Sequence, residues 1–281
     1  MKRPHRLAPL ALLLLALAQA PLAQTAGAPG ASPANATTAL DAELFYQLLL
    51  GEINAGGSEP GAGYSLILDA ARRTNDPALY QRAVDIAFKS RSGDAALQAA
   101  QAWRQAQPQS RDANRYVLQI LVALNRVADT AELLKTDIEL ASPGERAAVL
   151  AGIPRLFARV SDKKLAASVV EQALAGYLAV PALGPAVWTS IGRMRLAAGD
   201  SAGALEAARR GQEMNPAAEG PALLALEMMD PKQPLAEPMV RRYMDGKPAP
   251  ELRMGYARAL LDVQRYAEAT QQLKVITAER P

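Results

Sequence analysis

Residues 185–218 read PAVWTSIGRMRLAAGDSAGALEAARRGQEMNPAA, and this stretch decides the fold. Trp188 and Ile191 are large residues three apart on a first helical segment, followed at once by Gly192. Ala204, Ala208 and Gly211 then recur at i, i+4 and i+7, a narrow stripe of small residues on a second helical segment. Gly199-Asp200 separates the two, with glycine suited to ending a helix and Asp200 or Ser201 suited to capping the next. A large face opposite a small face predicts two helices lying close and antiparallel, with Gly192 giving the second helix room to approach. Pro216 closes the segment, because proline lacks the N–H and clashes with the preceding helical turn.

That closing proline recurs. Pro77, Pro108, Pro143, Pro181, Pro216, Pro248 and Pro281 follow one another at intervals of 31 to 38 residues, with a mean of 34. Several other units carry the same marks. Leu50-Gly51, Gly63, Ile67 and Ala70 precede Pro77. Tyr80, Ala96 and Trp103 precede Pro108, with Gly93-Asp94 as the expected turn. Tyr266-Ala267-Glu268-Ala269, Leu273 and Ile276 precede Pro281. The units ending at Pro143 and Pro181 are looser, and Pro154 falls inside an expected first helix that it should kink or displace. Pro231, Pro234 and Pro238 should shorten the helices of the unit ending at Pro248. Trp103 and Trp188 are expected in the core. Met228, Met229, Met239 and Met244 are expected to fill it imperfectly, an adaptable binding surface being the other reading.

With these residues at this period, the region 41–281 resembles the tetratricopeptide repeat family of helix–turn–helix units. The resemblance implies an all-α protein, an α-solenoid of about seven antiparallel helix pairs wound as a right-handed superhelix, each pair burying its face on its neighbours. Strand patterning is weak, and aromatic content of 5% suits close packing through small side chains. The last unit ends at Pro281 without a polar capping helix, so the expectation is a fragment of a longer array or a last face covered by a partner, a homo-oligomeric contact included.

The N-terminus reads differently. Lys2, Arg3 and Arg6 precede an apolar run from Leu7 to Ala20, short for a membrane span and fitting a cleavable signal peptide over 1–26, an uncleaved N-terminal anchor being the alternative. Residues 27–40, rich in Ala, Pro, Thr and Gly, read as a flexible linker. The expected location is periplasmic or secreted, with no transmembrane helix in the mature chain. Removing the leader takes the 31 basic residues to 28, equal to the 28 acidic residues, so a nucleic-acid partner is not expected.

The chain has no cysteine, and its one histidine, His5, lies in the leader. That excludes Ser-His-Asp and Cys-His nucleophile systems and thiolate or imidazole zinc sites from the mature chain. No cofactor and no metal are expected. Ser161-Asp162-Lys163-Lys164 matches S-x-x-K but has no S-D-N or K-T-G partner motif, so Ser161 or Asp162 is expected to cap a helix.

In the resembled architecture the first helix of each unit lines a concave groove. Threading the units implies Glu52, Gln81, Asp85, Lys89, Gln119, Arg193 and Arg258 as groove residues, joined by Arg115 and Arg155. The arginines present forks suited to partner carboxylates. The family's dicarboxylate clamp requires Lys and Asn where Gln81 and Asp85 stand, so that specificity does not carry over. The layout is similar to Gram-negative envelope repeat proteins that link processing proteases to cell-wall hydrolases, although no lipoprotein cysteine is present. The expected function is therefore a non-enzymatic adaptor binding envelope proteins. The alternatives are a carboxylate-dependent cell-wall hydrolase and an assembly factor for outer-membrane or export machinery.

Overall fold

The computed structural model describes residues 33–230 and 233–279. The expected signal peptide, the first part of the linker, Pro231 and Pro281 lie outside the described residues. Contacts divide the chain into Met1–Glu43 and Leu44–Pro281, and the packing below belongs to the second unit.

Among the described residues there are fourteen α-helices and no strand. In order they are α1 (Pro33–Gly56), α2 (Pro60–Thr74), α3 (Pro77–Lys89), α4 (Gly93–Ala106), α5 (Arg111–Ala123), α6 (Ala131–Leu140), α7 (Arg146–Leu156), α8 (Lys163–Leu174), α9 (Gly184–Ala197), α10 (Ser201–Met214), α11 (Glu219–Glu227), α12 (Ala236–Met244), α13 (Pro250–Asp262) and α14 (Tyr266–Glu279). Each of the six described period prolines falls between a second helix and the next first helix. Pro77 opens α3, and Pro108, Pro143, Pro181, Pro216 and Pro248 lie in the connections ahead of α5, α7, α9, α11 and α13. Neighbouring helices pack in chain order, most extensively α9 on α10, α2 on α3, α3 on α4 and α13 on α14. The fold is an α-solenoid of tetratricopeptide-like helix pairs.

The quoted stretch folds as its pattern demands. Ala204 and Ala208 are fully buried. A side chain at Gly192 would meet Leu224 at 2.3 Å and the Ala204 carbonyl at 3.2 Å, so α9, α10 and α11 converge there. Asp200, not Ser201, caps α10 by accepting from the Gly203 N–H at 2.8 Å.

Four of the turns within pairs share one backbone geometry. A residue with left-handed φ is followed by an N–H that reaches back five residues: Arg91 before Ser92→Ala87, Asn125 before Arg126→Leu121, Gly199 before Asp200→Arg195, and Gln264 before Arg265→Leu260, all at 2.8–2.9 Å. This bond satisfies a carbonyl that the ending helix leaves open. The expected turn at Gly93-Asp94 is corrected by this geometry. The turn is made by Ser90–Ser92, and Gly93 begins α4.

Two further expectations change. Residues 33–40, assigned to the linker, lie in α1, whose stretch from Pro33 to Leu50 contains no glycine to interrupt it. Trp188 is half-buried rather than core, with the Arg210 guanidinium 5.1 Å from its ring centroid. The degenerate unit has helices of nine residues each, and Met228, Met239 and Met244 are buried in its core.

Pro154 sits in the last turn of α7. Lacking an N–H, it leaves the Leu150 carbonyl without its helical donor. The buried Ser190 hydroxyl of α9 donates to that oxygen at 2.5 Å. Ser190→Ala should therefore cost about 2 kcal/mol in chemical denaturation, because a buried carbonyl loses its partner. In a Pro154→Ala background, where the helix supplies its own N–H, the same substitution should cost about 1 kcal/mol or less.

Candidate functional site

The first helices α5, α7 and α9 carry the residues that gather into a site. Arg111, Arg115 and Gln119 recur every four residues along one face of α5. α7 packs against α9 but makes no comparable contact along α5. A cleft of about 480 Å³ opens between them. Leu118, Leu134 and Ile153, each almost fully buried, form its floor, while Arg115, Gln119 and Arg155 stand exposed at its rim. Arg111 crosses one end, donating to Asp137 at 2.9 Å and to Glu145 at 3.5 Å. Glu145 also accepts from the Ser142 hydroxyl and N–H, and those bonds, followed by the nearby Arg111 charge, hold its carboxyl below the usual range. Arg115 and Arg155 have no hydrogen-bond or ion-pair partner among the described residues.

A second cleft, also of about 480 Å³, is lined by α9, α11 and the connections ahead of them, with Ala151 of α7 at its edge. Ala151, Pro181, Pro185, Pro221 and Leu223 line it, with Arg193 and Glu219 among its polar residues. Arg193 is engaged by Glu227 at 2.8 Å. The Thr189 hydroxyl in its wall turns back to the Pro185 carbonyl at 2.7 Å, leaving an apolar surface.

Of the nine residues implied by the threading, Arg115, Gln119 and Arg155 come together at the first cleft and Arg193 lines the second. Glu52 is held by a two-point ion pair with Arg82, which lowers its carboxyl pKa through that hydrogen bond. Gln81 is half-buried, while Asp85, Lys89 and Arg258 are exposed, and none of these four lines either cleft. The cleft residues not singled out from sequence include Arg111, Leu118, Leu134 and Ile153. Arg111 was legible from its four-residue spacing to Arg115. The floor was not, because α6 supplies part of it.

Around the S-x-x-K motif the hydrogen bonds serve helix ends and turns, and its own lysine, Lys164, is exposed. Asp162 caps α8 by accepting from the Leu165 N–H at 2.9 Å, Ser161 bonds Asn125 at 3.2 Å, and Lys163 caps the end of α7's turn by donating to the Ala158 carbonyl at 2.7 Å. Among the described residues no group of three or more His, Cys, Asp or Glu is placed to hold a metal, and no helix is long and apolar enough to cross a membrane.

Neither a family model nor a curated protein matches the chain. Among solved structures, the crystal structure of PilW, described as a widely conserved type IV pilus biogenesis factor, is similar at 16% identity and a TM-score of 0.33, covering 82% of this chain and 97% of that one. A structure of Pseudomonas aeruginosa PilF is similar at 16% identity and a TM-score of 0.38, covering 76% and 94%. Overlays at these scores bear no conclusion about what this chain does.

Proposed function

We propose that this chain is a non-enzymatic adaptor of the bacterial envelope that holds partner proteins in the groove over α5, α7 and α9. The observation that carries the reading is the first cleft: an apolar floor beneath two exposed, unengaged guanidinium groups. Such a site has the makings of binding, with anchors to desolvate and charge to orient a partner. Placement in the periplasm rests on the leader read from residues 1–26. Support for assembly of outer-membrane or export machinery would use the same groove and differ only in its partner.

The hydrolase alternative needs a carboxyl kept protonated near neutral pH. Glu237 accepts three hydrogen bonds at a cavity, and its environment does the opposite. It accepts from Arg265 at 2.6 Å, Arg241 at 2.8 Å and Tyr256 at 3.0 Å. The Arg265 bond, offset in part by burial and joined by the other two, lowers its pKa to about 2. The cluster ties α12, α13 and α14 together. Its folded pKa lies below the ordinary 4.5, so its stabilisation is fully present above about pH 4.5 and is lost as pH falls towards 2. Glu237→Gln should therefore destabilise by about 2 kcal/mol at pH 7, solvent screening included, and by almost nothing at pH 2. Urea unfolding at the two pH values measures the difference.

Affinity capture from envelope extracts tests the adaptor reading. The wild-type chain should retain a partner that the Arg115→Glu/Arg155→Glu variant loses at least tenfold. Equal recovery by both, or hydrolysis of cell-wall polymer by the pure chain, would overturn it.

A further inference from the structure

We propose that copies of this chain join head to tail, the outer face of α1 in one copy seating on α13 and α14 of another as an interior first helix seats on the pair before it. The inference rests on the first and last described pairs and is independent of the groove reading.

The interior junctions define the seat. On α9, Val187, Ser190 and Met194 lie at i, i+3 and i+7 and are buried. The Ser190 hydroxyl reaches the Leu150 carbonyl of α7, in the pair before. One repeat later, Pro221, Leu224 and Met228 form the same stripe along α11 and its C-cap, also buried. Pro221 packs at Gly211 of α10, where a Cβ would stand 2.8 Å from its ring, and Leu224 packs at Gly192 of α9. This stripe on a first helix therefore couples its pair to the pair before.

α1 carries the same stripe in the open. Gly63, Ile67 and Ala70 of α2 hold the i, i+4 and i+7 places that Ala204, Ala208 and Gly211 hold on α10. That register sets Tyr46, Leu49 and Ile53 in the places of Val187, Ser190 and Met194. They are 61%, 45% and 59% exposed, and Phe45 beside them is exposed as well. A continuous apolar strip of this kind marks an interaction face.

The last described pair carries the complementary seat. Ala269, Leu273 and Ile276 stand on α14 where Ala204, Ala208 and Gly211 stand on α10. All three are buried on α10, whereas Leu273 and Ile276 are only half-buried on α14. Thr277 is exposed where its counterpart Gln212 donates to the Met239 carbonyl of α12. Met254 and Leu261 of α13 are exposed too. Met254 corresponds to Thr189 of α9, whose hydroxyl lies 2.7 Å from a Cβ built at Gly220 of α11. If α1 took the role of α11, Phe45 would meet Met254 and Tyr46 would meet Ile276. Two large residues already share such a junction at Trp103 and Tyr116.

Charge favours this occupant over a lipid surface. α1 contains Asp41, Glu43 and Glu52 but no Lys or Arg, so anionic headgroups would repel it. The last pair offers Arg253, which is buried and donates to Gln272 at 2.9 Å, with its Nε unpaired and no carboxylate partner among the described residues. An acidic helix suits an end that holds an unneutralised guanidinium. Because the two faces differ, the contact is heterologous, and copies add to one another rather than stopping at two.

Sedimentation velocity of the purified chain over a concentration series tests this. Wild type should grow beyond a dimer as concentration rises. Leu49→Arg or Tyr46→Arg on α1, and Met254→Arg or Thr277→Arg on the last pair, should each sediment as monomers where wild type assembles, with unchanged circular dichroism because all four sites are exposed. An equimolar mixture of Leu49→Arg and Met254→Arg retains one intact stripe and one intact seat, and should give a dimer and nothing larger. The chain has no cysteine, so Phe45→Cys in one copy and Met254→Cys in another report the register by cross-linking under mild oxidation. A wild-type chain that stays monomeric throughout the series would overturn the proposal. So would a dimer that grows no further and survives Met254→Arg, since two α1 faces would then be meeting each other. Failure of Phe45→Cys to cross-link with Met254→Cys in assembled chains would overturn it as well.

Discussion

Trp103→Ala should destabilise the solenoid by about 4 kcal/mol, the range expected for emptying a buried tryptophan site that cannot collapse. Trp103 is 1% exposed in the last turn of α4. Its ring is parallel to Tyr80 of α3 at 6.3 Å between centroids and tilted against Tyr116 of α5 at 5.3 Å. The indole N–H donates to Gln107 at 3.0 Å, and Gln107 in turn donates to the Asn75 carbonyl at 2.7 Å, at the junction of the first two pairs. One side chain therefore joins three helices from two pairs, and its loss is felt across both. In an array where each pair contacts only its neighbours, that junction is where cooperativity between pairs is made. Urea denaturation followed by circular dichroism should show the full loss. The fluorescence of Trp188, the other tryptophan, should report whether α9 and α10 unfold in the same step. Trp103→Phe, which keeps a ring in the stack, should cost less than half as much. A shift below about 1 kcal/mol for the alanine variant would mean that the aromatic stack does not hold these pairs together.

Gly63→Ala should also be destabilising, by about 2 kcal/mol, against the preference of an isolated helix. Alanine in a helix is favoured over glycine by about 1 kcal/mol, so the sign is informative. A methyl group at Gly63 would stand 2.5 Å from the Ala55 amide nitrogen and 2.7 Å from the Gly51 carbonyl oxygen, both backbone atoms of α1 that cannot yield without moving the helix. Overpacking of this kind costs about 1–3 kcal/mol beyond the propensity gain. The damage should be local: amides of α1 between Gln47 and Ala55 should exchange faster, while those of α9 and α10 stay unchanged. Gly61→Ala is the control on the same helix. Nothing lies within 4 Å of its Cβ position, so it should be neutral or stabilising. Equal stabilisation by both substitutions would show that α1 and α2 are not in close backbone contact.

The helix pairs were legible because their marks are local. A proline at each handover, a large residue on one helix and small residues on the next are readable from spacing alone, and Gly192, Ala204, Ala208 and Asp200 all serve as the pattern implies. The turns were less legible. Arg91 and Gln264 adopt the left-handed backbone that glycine takes at Gly199, and nothing in an arginine or a glutamine announces it. There the chain accepts the strained conformation to gain the hydrogen bond back to the helix end. Trp188 misled for another reason. A large residue on a first helix reads as core, yet its ring lies under Arg210 at the edge of the α9–α10 pair. The groove was half legible. Its rim of Arg115, Gln119, Arg155 and Arg193 follows from helix phase. The clefts themselves depend on how far α5 and α7 stand apart, which helix phase does not set. Glu52 illustrates the same limit, since Arg82, the partner that occupies it, stands 30 residues away in sequence.

A photo-crosslinking residue introduced at Gln119 in living cells tests the groove most directly, with Gln101, exposed on the second helix α4, as the control position. A protein adduct should form from Gln119, disappear when Arg115→Glu and Arg155→Glu are added, and be absent from Gln101. Adducts from Gln101 but not Gln119, or adducts from Gln119 that persist in the charge-reversed chain, would contradict a groove built to hold a partner.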